Sequence, residues 1–282
     1  MTGVLACVCA LAGCGGRYVV TVGDQVARAG GSANVAIRLQ RYEFAWIRKS
    51  VEGAPIRLQV VDQVPDLMEC GCYTDEIGFT GLATEQGFAG TAVPVPEAEG
   101  KYVLRISLQD NRGDEARVET PVYVWRPDTR LTAVDLDALP DAEDVAAADA
   151  AAALERIAET SRVVYLTRRH VGDKDAARAK VTACAYPDGP VLTWRRSYLH
   201  FARVGPLRLP QFVRESRLVM HMTYLKALFG GLEAGLCTTA SAAREFAGAG
   251  IRPVVVGTAD TEGLSVTRRA DWADVARRGA KP

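Results

Sequence analysis

The sequence lacks most of the patterns that would place a chain directly in a common functional class. It has 34 Lys and Arg against 34 Asp and Glu, so composition gives no reason to expect a nucleic-acid partner. Only three histidines are present, which makes a structural zinc site unexpected. There is neither a Gly-x-Gly-x-x-Gly motif nor a Walker loop, so nucleotide-binding folds of those kinds are not predicted. No apolar run reaches the roughly 20 residues that a helix needs to cross a bilayer.

The amino terminus instead offers a short apolar segment that is rich in cysteine. Residues 4–12 lead into the tetrad Leu-Ala-Gly-Cys at 11–14 and two glycines. A short apolar segment before small residues is typical of a secretory signal, and the tetrad resembles a bacterial lipobox. The resemblance implies that residues 1–16 are a signal peptide and anchor. Cys14 would carry lipid and tether the protein to a membrane of the cell envelope, on its periplasmic or extracellular face. The alternative is a buried first strand, which Gly-Cys-Gly-Gly disfavours, and the missing Lys or Arg before the segment leaves the translation start open.

Four cysteines follow this segment. They are Cys70, Cys72, Cys184 and Cys237. A disulfide is allowed outside the cytoplasm, and the sequence leaves the pairing open. The simplest interpretation of Cys184 and Cys237 is that they are small buried apolar residues.

The length of 282 residues corresponds to about two domains, and the first, predicted at 17–127, has an all-β pattern. Short runs of β-forming residues, separated by turn-forming clusters, occur at 34–39, 56–61 and 102–108. Such spacing predicts a β-sandwich. Within it, residues 73–79, which contain Thr-Asp-x-x-Gly, and the later Gly-x-Tyr at 100–102 resemble bacterial immunoglobulin-like domains. That resemblance implies a spacer or adhesion module.

After a linker at 126–128, the predicted second domain, 128–282, alternates between strand and helix patterns. Strands are expected at 131–134, 163–166, 189–194 and 254–256, and helices at about 145–160, 173–184, 210–229 and 239–248. This alternation predicts a mainly parallel sheet wrapped by helices. In an open sheet of that kind, ligands bind at the carboxyl ends of the strands.

Polar side chains are concentrated at those strand ends. Asp135 and Asp137 close the first strand, Thr167 closes the second, and Arg195 follows the third. Acidic residues at i and i+2 lie on one face of a regular strand, and two carboxylates beside a hydroxyl suit the handling of phosphate. The alternative interpretation is that Asp135 begins a turn and Asp137 is merely solvated, because Asp is disfavoured inside strands.

Three segments resemble the haloacid dehalogenase superfamily of phosphatases, and within it the lipin-type phosphatidate phosphatase domain. Residues 134–137 correspond to the Asp-x-Asp motif, residues 165–169 to Tyr-Leu-Thr-x-Arg, and residues 187–191 to Pro-x-Gly-Pro-Val. The resemblance spans about 130–265. It implies a three-layer, Rossmann-like α/β domain, without a large cap because only 29 residues separate Asp137 from Thr167.

The resemblance also implies roles for individual residues. Asp135 would attack phosphorus to form a phosphoaspartate, Asp137 would act as general acid and then base, and Thr167 would hydrogen-bond the phosphoryl group. Arg169 and Arg195 would bind the substrate phosphate. A Mg²⁺ ion would be held by Asp135, the carbonyl of Asp137 and a third carboxylate, and it would offset the repulsion between the anionic nucleophile and the anionic ester.

Three departures from the family pattern leave the activity open. Ala138-Leu139 stand where the family has Gly-Thr or Asp-Thr, which removes a hydroxyl from the nucleophile loop. The catalytic lysine corresponds to Lys226 in one alignment and to His221 in another, and histidine is mostly neutral at pH 7. The metal-binding aspartate after the last strand corresponds to Glu262, with Asp260 as the alternative ligand.

The leading hypothesis is therefore an envelope lipoprotein in which an immunoglobulin-like domain precedes a Mg²⁺-dependent phosphatase. Its substrate would be a phosphate monoester, and a membrane lipid phosphate is a candidate because an uncapped site admits bulky molecules. The alternative is a degenerate domain that binds a phosphorylated lipid or another anionic ligand without turnover. A third hypothesis is a structural envelope protein whose second domain is a scaffold. The sequence leaves the substrate and the oligomeric state open.

Overall fold

The computed structural model describes most of both predicted domains. The described residues are 18–42, 48–51, 53–62, 77–83, 88–109, 115–194, 201–204, 207–210 and 217–280. Cys14, Arg195 and the cysteines at 70 and 72 lie outside the described residues. Every helix in the described ranges is too short or too polar to cross a membrane.

The chain is multidomain, with an all-β amino-terminal half and an α/β carboxyl-terminal half. The strands of the first half are β1 (Tyr18–Thr21), β2 (Gln25–Arg28), β3 (Ser32–Tyr42), β4 (Arg48–Ser50), β5 (Pro55–Asp62), β6 (Ile77–Ala83), β7 (Phe88–Pro94), β8 (Gly100–Gln109) and β9 (Glu115–Trp125). The strands of the second half are β10 (Arg130–Asp135), β11 (Arg162–His170), β12 (Val191–Trp194), β13 (Phe201–Val204), β14 (Leu207–Pro210), β15 (Gly231–Cys237), β16 (Arg252–Val256) and β17 (Thr267–Arg269). Its helices are α1 (Ala147–Ala158), α2 (Lys174–Ala183), α3 (Arg217–Leu228), α4 (Ala240–Gly248) and α5 (Trp272–Arg278).

The amino-terminal half contains two sheets around one apolar core. One sheet has the order β1-β3-β4, with β7 also paired with β3, and the other has the order β2-β9-β8-β5-β6. Side chains alternate along β3, so that Val35, Ile37 and Leu39 are buried between more exposed neighbours. They share a core with residues of the second sheet such as Leu58 and Ile106. Burial along β3 therefore repeats every two residues, as a sheet with one buried face requires.

The carboxyl-terminal half is built on a six-stranded sheet with the order β12-β11-β10-β15-β16-β17, in which every pairing is parallel. Apolar side chains of α1, α2 and α5 share one core cluster on this sheet, and those of α3 and α4 share another. Burial of the sheet on both faces explains why the strands are almost continuously apolar. The chain changes direction across the sheet at the neighbours β10 and β15, which is the switch point where open α/β sheets bind ligands.

Several elements differ from the sequence-based expectation. Strand β15 was not predicted from the sequence. Gly235 is required there, since a Cβ at this position would lie 2.2 Å from the ring of Phe246 in α4. The hairpin of β13 and β14 was not predicted, and α3 begins only at Arg217, later than the expected helix start at about 210. Strand β17 and helix α5 were also not predicted.

The two halves pack directly against each other. Val26 of β2 and Trp125 of β9 belong to the same core cluster as Phe229, which follows α3. The rings of Trp125 and Phe229 lie 5.9 Å apart between centroids. Because these contacts are apolar and buried, the all-β half covers part of the helical layer formed by α3.

A buried ion pair reinforces this contact. The Asp24 side chain, 1% exposed, accepts hydrogen bonds from Arg178 of α2 and from the main-chain N–H of Val191, the latter at 2.8 Å. Burial raises the pKa of Asp24 above its ordinary range, and the neighbouring Arg178 opposes that rise. Arg178 also donates to the Gly189 carbonyl at 3.0 Å, so one guanidinium links the loop before β2 to the loop before β12.

The close contact at Gly235 predicts the response to a single added methyl group. In Gly235→Ala the new Cβ meets a fully buried ring, and overpacking of this kind costs about 1–3 kcal/mol. In the control Gly248→Ala the added Cβ meets nothing within 4 Å, so we expect no loss of stability. Urea unfolding measures both free energies, and equal stabilities of the two variants would contradict the packing described.

Candidate functional site

The candidate site forms where β10 and β11 end side by side. Asp135 is the last residue of β10 and pairs in register with Leu166 of β11. The chain then turns through a short 3₁₀ helix, Leu136–Ala138, while β11 continues as far as His170. This difference in length places Asp137 over the extension of β11 that begins at Thr167.

Asp137 is held by three groups of that extension. The Thr167 hydroxyl donates to Asp137 Oδ1 at 2.6 Å, and the main-chain N–H of Arg168 donates to Oδ2 at 2.8 Å. Arg169 Nε lies 3.6 Å from Asp137 Oδ1. The structure therefore brings together Asp135, Asp137, Thr167 and Arg169.

The Asp135 carboxylate is nearly inaccessible to solvent, with 1% of its side chain exposed. Arg168 Nη1 donates to both of its oxygens, at 3.2 and 3.0 Å. Burial raises the pKa of Asp135 above its ordinary range, and the charge and hydrogen bonds of Arg168 oppose that rise. The other terminal nitrogen of Arg168 lies 3.4 Å from Glu245 Oε1 of α4.

Arg168 stands between the two aspartates of the predicted motif. Its Nη1 lies 3.0 Å from Asp135 Oδ2 and 3.9 Å from Asp137 Oδ2. From the sequence, Arg168 was weighed only as a phosphate-binding or a solvated surface residue, and Glu245 was given no role. Arg168 occupies the variable position of Tyr-Leu-Thr-x-Arg, so a comparison of motifs passes over it. Its place on β11, directly beside the strand that carries Asp135, is the signal that would have identified it.

Lys226 does not reach this site, and its predicted catalytic role is therefore wrong for this arrangement. Its ammonium donates to the carbonyls of Ala249 and Gly250, at 2.9 and 3.3 Å, at the carboxyl end of α4. These residues precede β16, and so they lie at the edge of the sheet opposite to Asp135. The alternative, His221, is buried on α3 and lines a cavity of about 240 Å³ together with residues of the all-β half.

The predicted third carboxylates lie in the loop after β16. Asp260 and Glu262 are both exposed, and Asp260 Oδ1 accepts from the main-chain N–H of Glu262 at 3.0 Å. Strand β15 separates β16 from β10 in the sheet. No contact of either residue with Asp135 is found in the described part of the chain.

The carboxylate oxygens of the predicted metal ligands Asp135 and Asp137 are engaged by groups of the chain itself, and the magnesium ion stays a prediction. Both oxygens of Asp135 accept from Arg168, and both oxygens of Asp137 accept from groups of β11. In the ranges that the structure describes, no three or more His, Cys, Asp or Glu side chains are grouped so that they could hold a metal ion. The positive charge beside Asp135 is supplied by a guanidinium of the chain itself.

Cys184 and Cys237 are buried, as was expected, and both are free of disulfides. Burial raises the pKa of Cys237, at the end of β15, to about 12. A thiol with so high a pKa is not a nucleophile at neutral pH, so the chemistry of this strand edge rests on carboxylates and arginines.

Comparison with known proteins assigns no family. No protein-family model matches the chain, and no curated protein does. The soluble domain of PmoD from Methylocystis sp. ATCC 49242 is 13% identical over 38% of this chain and 90% of its own, with a TM-score of 0.25. CopC from Methylosinus trichosporium OB3b is 17% identical over 39% of this chain and 98% of its own, with a TM-score of 0.25. PhoD is 8% identical over 62% of this chain and 38% of its own, with a TM-score of 0.29. Similarities of this size carry no assignment of fold or function.

The Thr167 hydroxyl provides a test of the site geometry. Thr167→Val removes the donor to Asp137 and leaves a partly buried carboxylate less satisfied, which costs about 1–3 kcal/mol. Thr193 of β12 is an equally buried threonine whose hydroxyl has no hydrogen-bond partner in the described part of the chain. We therefore expect Thr193→Val to leave stability unchanged or slightly raised. Thermal unfolding compares the two variants, and a larger loss in Thr193→Val would contradict the site.

Proposed function

We propose that the carboxyl-terminal half is a haloacid dehalogenase-like domain that binds a phosphorylated lipid or a related anionic ligand and has lost phosphatase activity. The amino-terminal half would be an immunoglobulin-like domain, and lipid on Cys14 would hold both at the cell envelope. The parallel sheet between two helical layers and the convergence of Asp135, Asp137 and Thr167 support the relationship to phosphatases.

The position of Arg168 carries the proposed loss of activity. A carboxylate that attacks phosphorus needs an oxygen free to approach it, and here both oxygens of Asp135 accept from one guanidinium. A cation that approaches Asp135 from this side would have to compete with the guanidinium of Arg168. The engagement of Lys226 at the opposite edge of the sheet removes a second source of positive charge from the reaction.

Arg169 supports the binding of an anion. Its side chain is 45% exposed, and its contact with Asp137 involves only Nε at 3.6 Å. A guanidinium presents five donors in a fixed plane, so its terminal nitrogens remain able to bind a phosphate in a bidentate manner. The adjacent carboxylates repel an anion, and we therefore expect the ligand to contact Arg169 from the solvent side.

An active phosphatase is the second candidate. The short hydrogen bond between Thr167 and Asp137, and the single helix α1 between these two residues, favour it. If Arg168 moves away from Asp135 when substrate binds, the carboxylate becomes available. The two functions therefore differ in whether the native protein releases phosphate, and in whether Asp135 is required for that release.

We expect the native protein with Mg²⁺ to release no more phosphate from p-nitrophenyl phosphate than Asp135→Asn does. In Arg168→Ala the buried carboxylate of Asp135 loses its cation, so Mg²⁺ should raise the thermal midpoint of this variant and leave that of the native protein unchanged. Arg117→Ala removes the same charge from an exposed position in β9 and serves as the control. Mg²⁺-dependent release that Asp135→Asn abolishes would overturn the proposal and establish the active phosphatase.

A water-soluble short-chain phosphatidic acid tests the binding proposal in the same proteins. We expect titration calorimetry to detect binding to the native protein and to Arg117→Ala, with at least a tenfold loss in Arg169→Ala. A tenfold loss corresponds to about 1.4 kcal/mol, which is within the range for one charged hydrogen bond. Equal affinities of Arg169→Ala and the native protein would exclude Arg169 from the site.

A further inference from the structure

A second polar cleft lies at the edge of the parallel sheet opposite to Asp135. It has a volume of about 250 Å³ and is formed by the amino ends of β10, β15 and β16 and the carboxyl ends of α1 and α5. Five arginines line it: Arg130, Arg156, Arg252, Arg277 and Arg278. Glu159 is the one acidic residue among its described lining residues.

Three of these arginines have a role in the fold itself. Arg156, Arg277 and Arg278 stand in the last turns of α1 and α5, where a cation offsets the partial negative charge of the helix end. Arg156 pairs with Glu159 at 2.8 Å, and Arg278 pairs with Asp274 at 2.9 Å. All three side chains are more than half exposed, and ion pairs at such positions are weak.

Arg130 and Arg252 have no such explanation. They begin the strands on either side of β15, and neither has a carboxylate partner in the described part of the chain. The Nε atom of Arg252 is buried and makes no hydrogen bond there. A buried donor without a partner destabilises the fold, and a bound acceptor would offset that cost.

The backbones of β10 and β15 pack closely beside Arg130, where the two strands begin. Gly231, at the start of β15, pairs in register with Arg130. A Cβ at this position would lie 2.6 Å from the Thr129 carbonyl oxygen, so no side chain is accommodated between the two strands. The hydroxyls of Thr132 and Ser161, which share a hydrogen bond of 2.8 Å, also line the cleft.

We propose that this arginine cleft is a binding site for an anionic phosphate group. Even when both Glu159 and Asp274 are counted against the five arginines, an excess of three positive charges remains in a chain of zero net charge. Guanidinium groups bind phosphate oxygens in pairs, and the volume is below the roughly 300 Å³ at which drug-sized ligands begin to fit. The ligand is therefore a small phosphate, either free in solution or exposed as a lipid head group.

Pyrophosphate is the probe for the free ligand. We expect titration calorimetry of the full chain to detect binding that weakens as salt is added, and that falls at least tenfold in Arg252→Gln and in Arg130→Gln. Arg117→Gln removes one charge from β9 and should bind as the native protein does. Arg252→Lys keeps the charge and should retain part of the affinity. Circular dichroism of each variant confirms that it is folded.

Vesicles distinguish the two sources of phosphate. The same proteins are sedimented with vesicles of phosphatidylcholine alone and with vesicles that contain phosphatidylglycerol. Selective binding to phosphatidylglycerol that Arg252→Gln weakens identifies a lipid head group as the ligand, whereas pyrophosphate binding without this selectivity identifies a free phosphate. If pyrophosphate and vesicles both fail to bind, or if Arg117→Gln lowers affinity as much as Arg252→Gln does, the proposal is overturned.

Discussion

The need to satisfy the buried carboxylate of Asp135 is the constraint on which the candidate site depends. Removing an ionised carboxylate from water is costly unless an opposite charge and hydrogen bonds accompany it. Asp135 is 1% exposed, at the end of a strand buried on both faces. Arg168 supplies both the charge and the hydrogen bonds, and Glu245 in turn holds the second terminal nitrogen of Arg168. The pair thereby connects the central strands of the sheet to α4.

The ion pair with Arg168 that stabilises the buried carboxylate of Asp135 also makes this carboxylate less available as a nucleophile or a metal ligand. In a metal-dependent phosphatase the metal ion stabilises the nucleophilic carboxylate. Without the metal the buried carboxylate destabilises the protein, and with the metal bound it is available for attack on phosphorus. Here the cation is the guanidinium of Arg168, which belongs to β11 and follows Thr167 directly. Because it is part of the chain, its effective concentration at Asp135 is always high. A divalent ion must displace it before it can bind, which is the physical reason for favouring a ligand-binding role over catalysis.

Much of the second half follows from patterns that a sequence displays. The strand with Asp135 and the strand with Thr167 are apolar runs of the right length, and parallel neighbours present their carboxyl ends at one edge, so the meeting of Asp137 with Thr167 was predictable. Strand β15 was not predictable in this way, because Gly235 serves a contact with Phe246 that exists only in the folded chain. Lys226 was misplaced for a related reason: alignment gives the type of a residue but not the edge of the sheet that the end of α3 reaches.

The two edges of the parallel sheet differ in how their charges are balanced. At the carboxyl edge, Arg168 contacts Asp135 and Glu245, so of the two described arginines beside Asp137 it is Arg169 that has donors to spare. At the amino edge, Arg130 and Arg252 face no carboxylate in the described residues, although the chain as a whole has equal numbers of acids and bases. Positive charges that no acidic residue neutralises repel one another, and this repulsion destabilises a compact protein. An external anion removes that repulsion, and the amino edge therefore gains more from such a ligand than the edge to which the phosphatase motifs pointed.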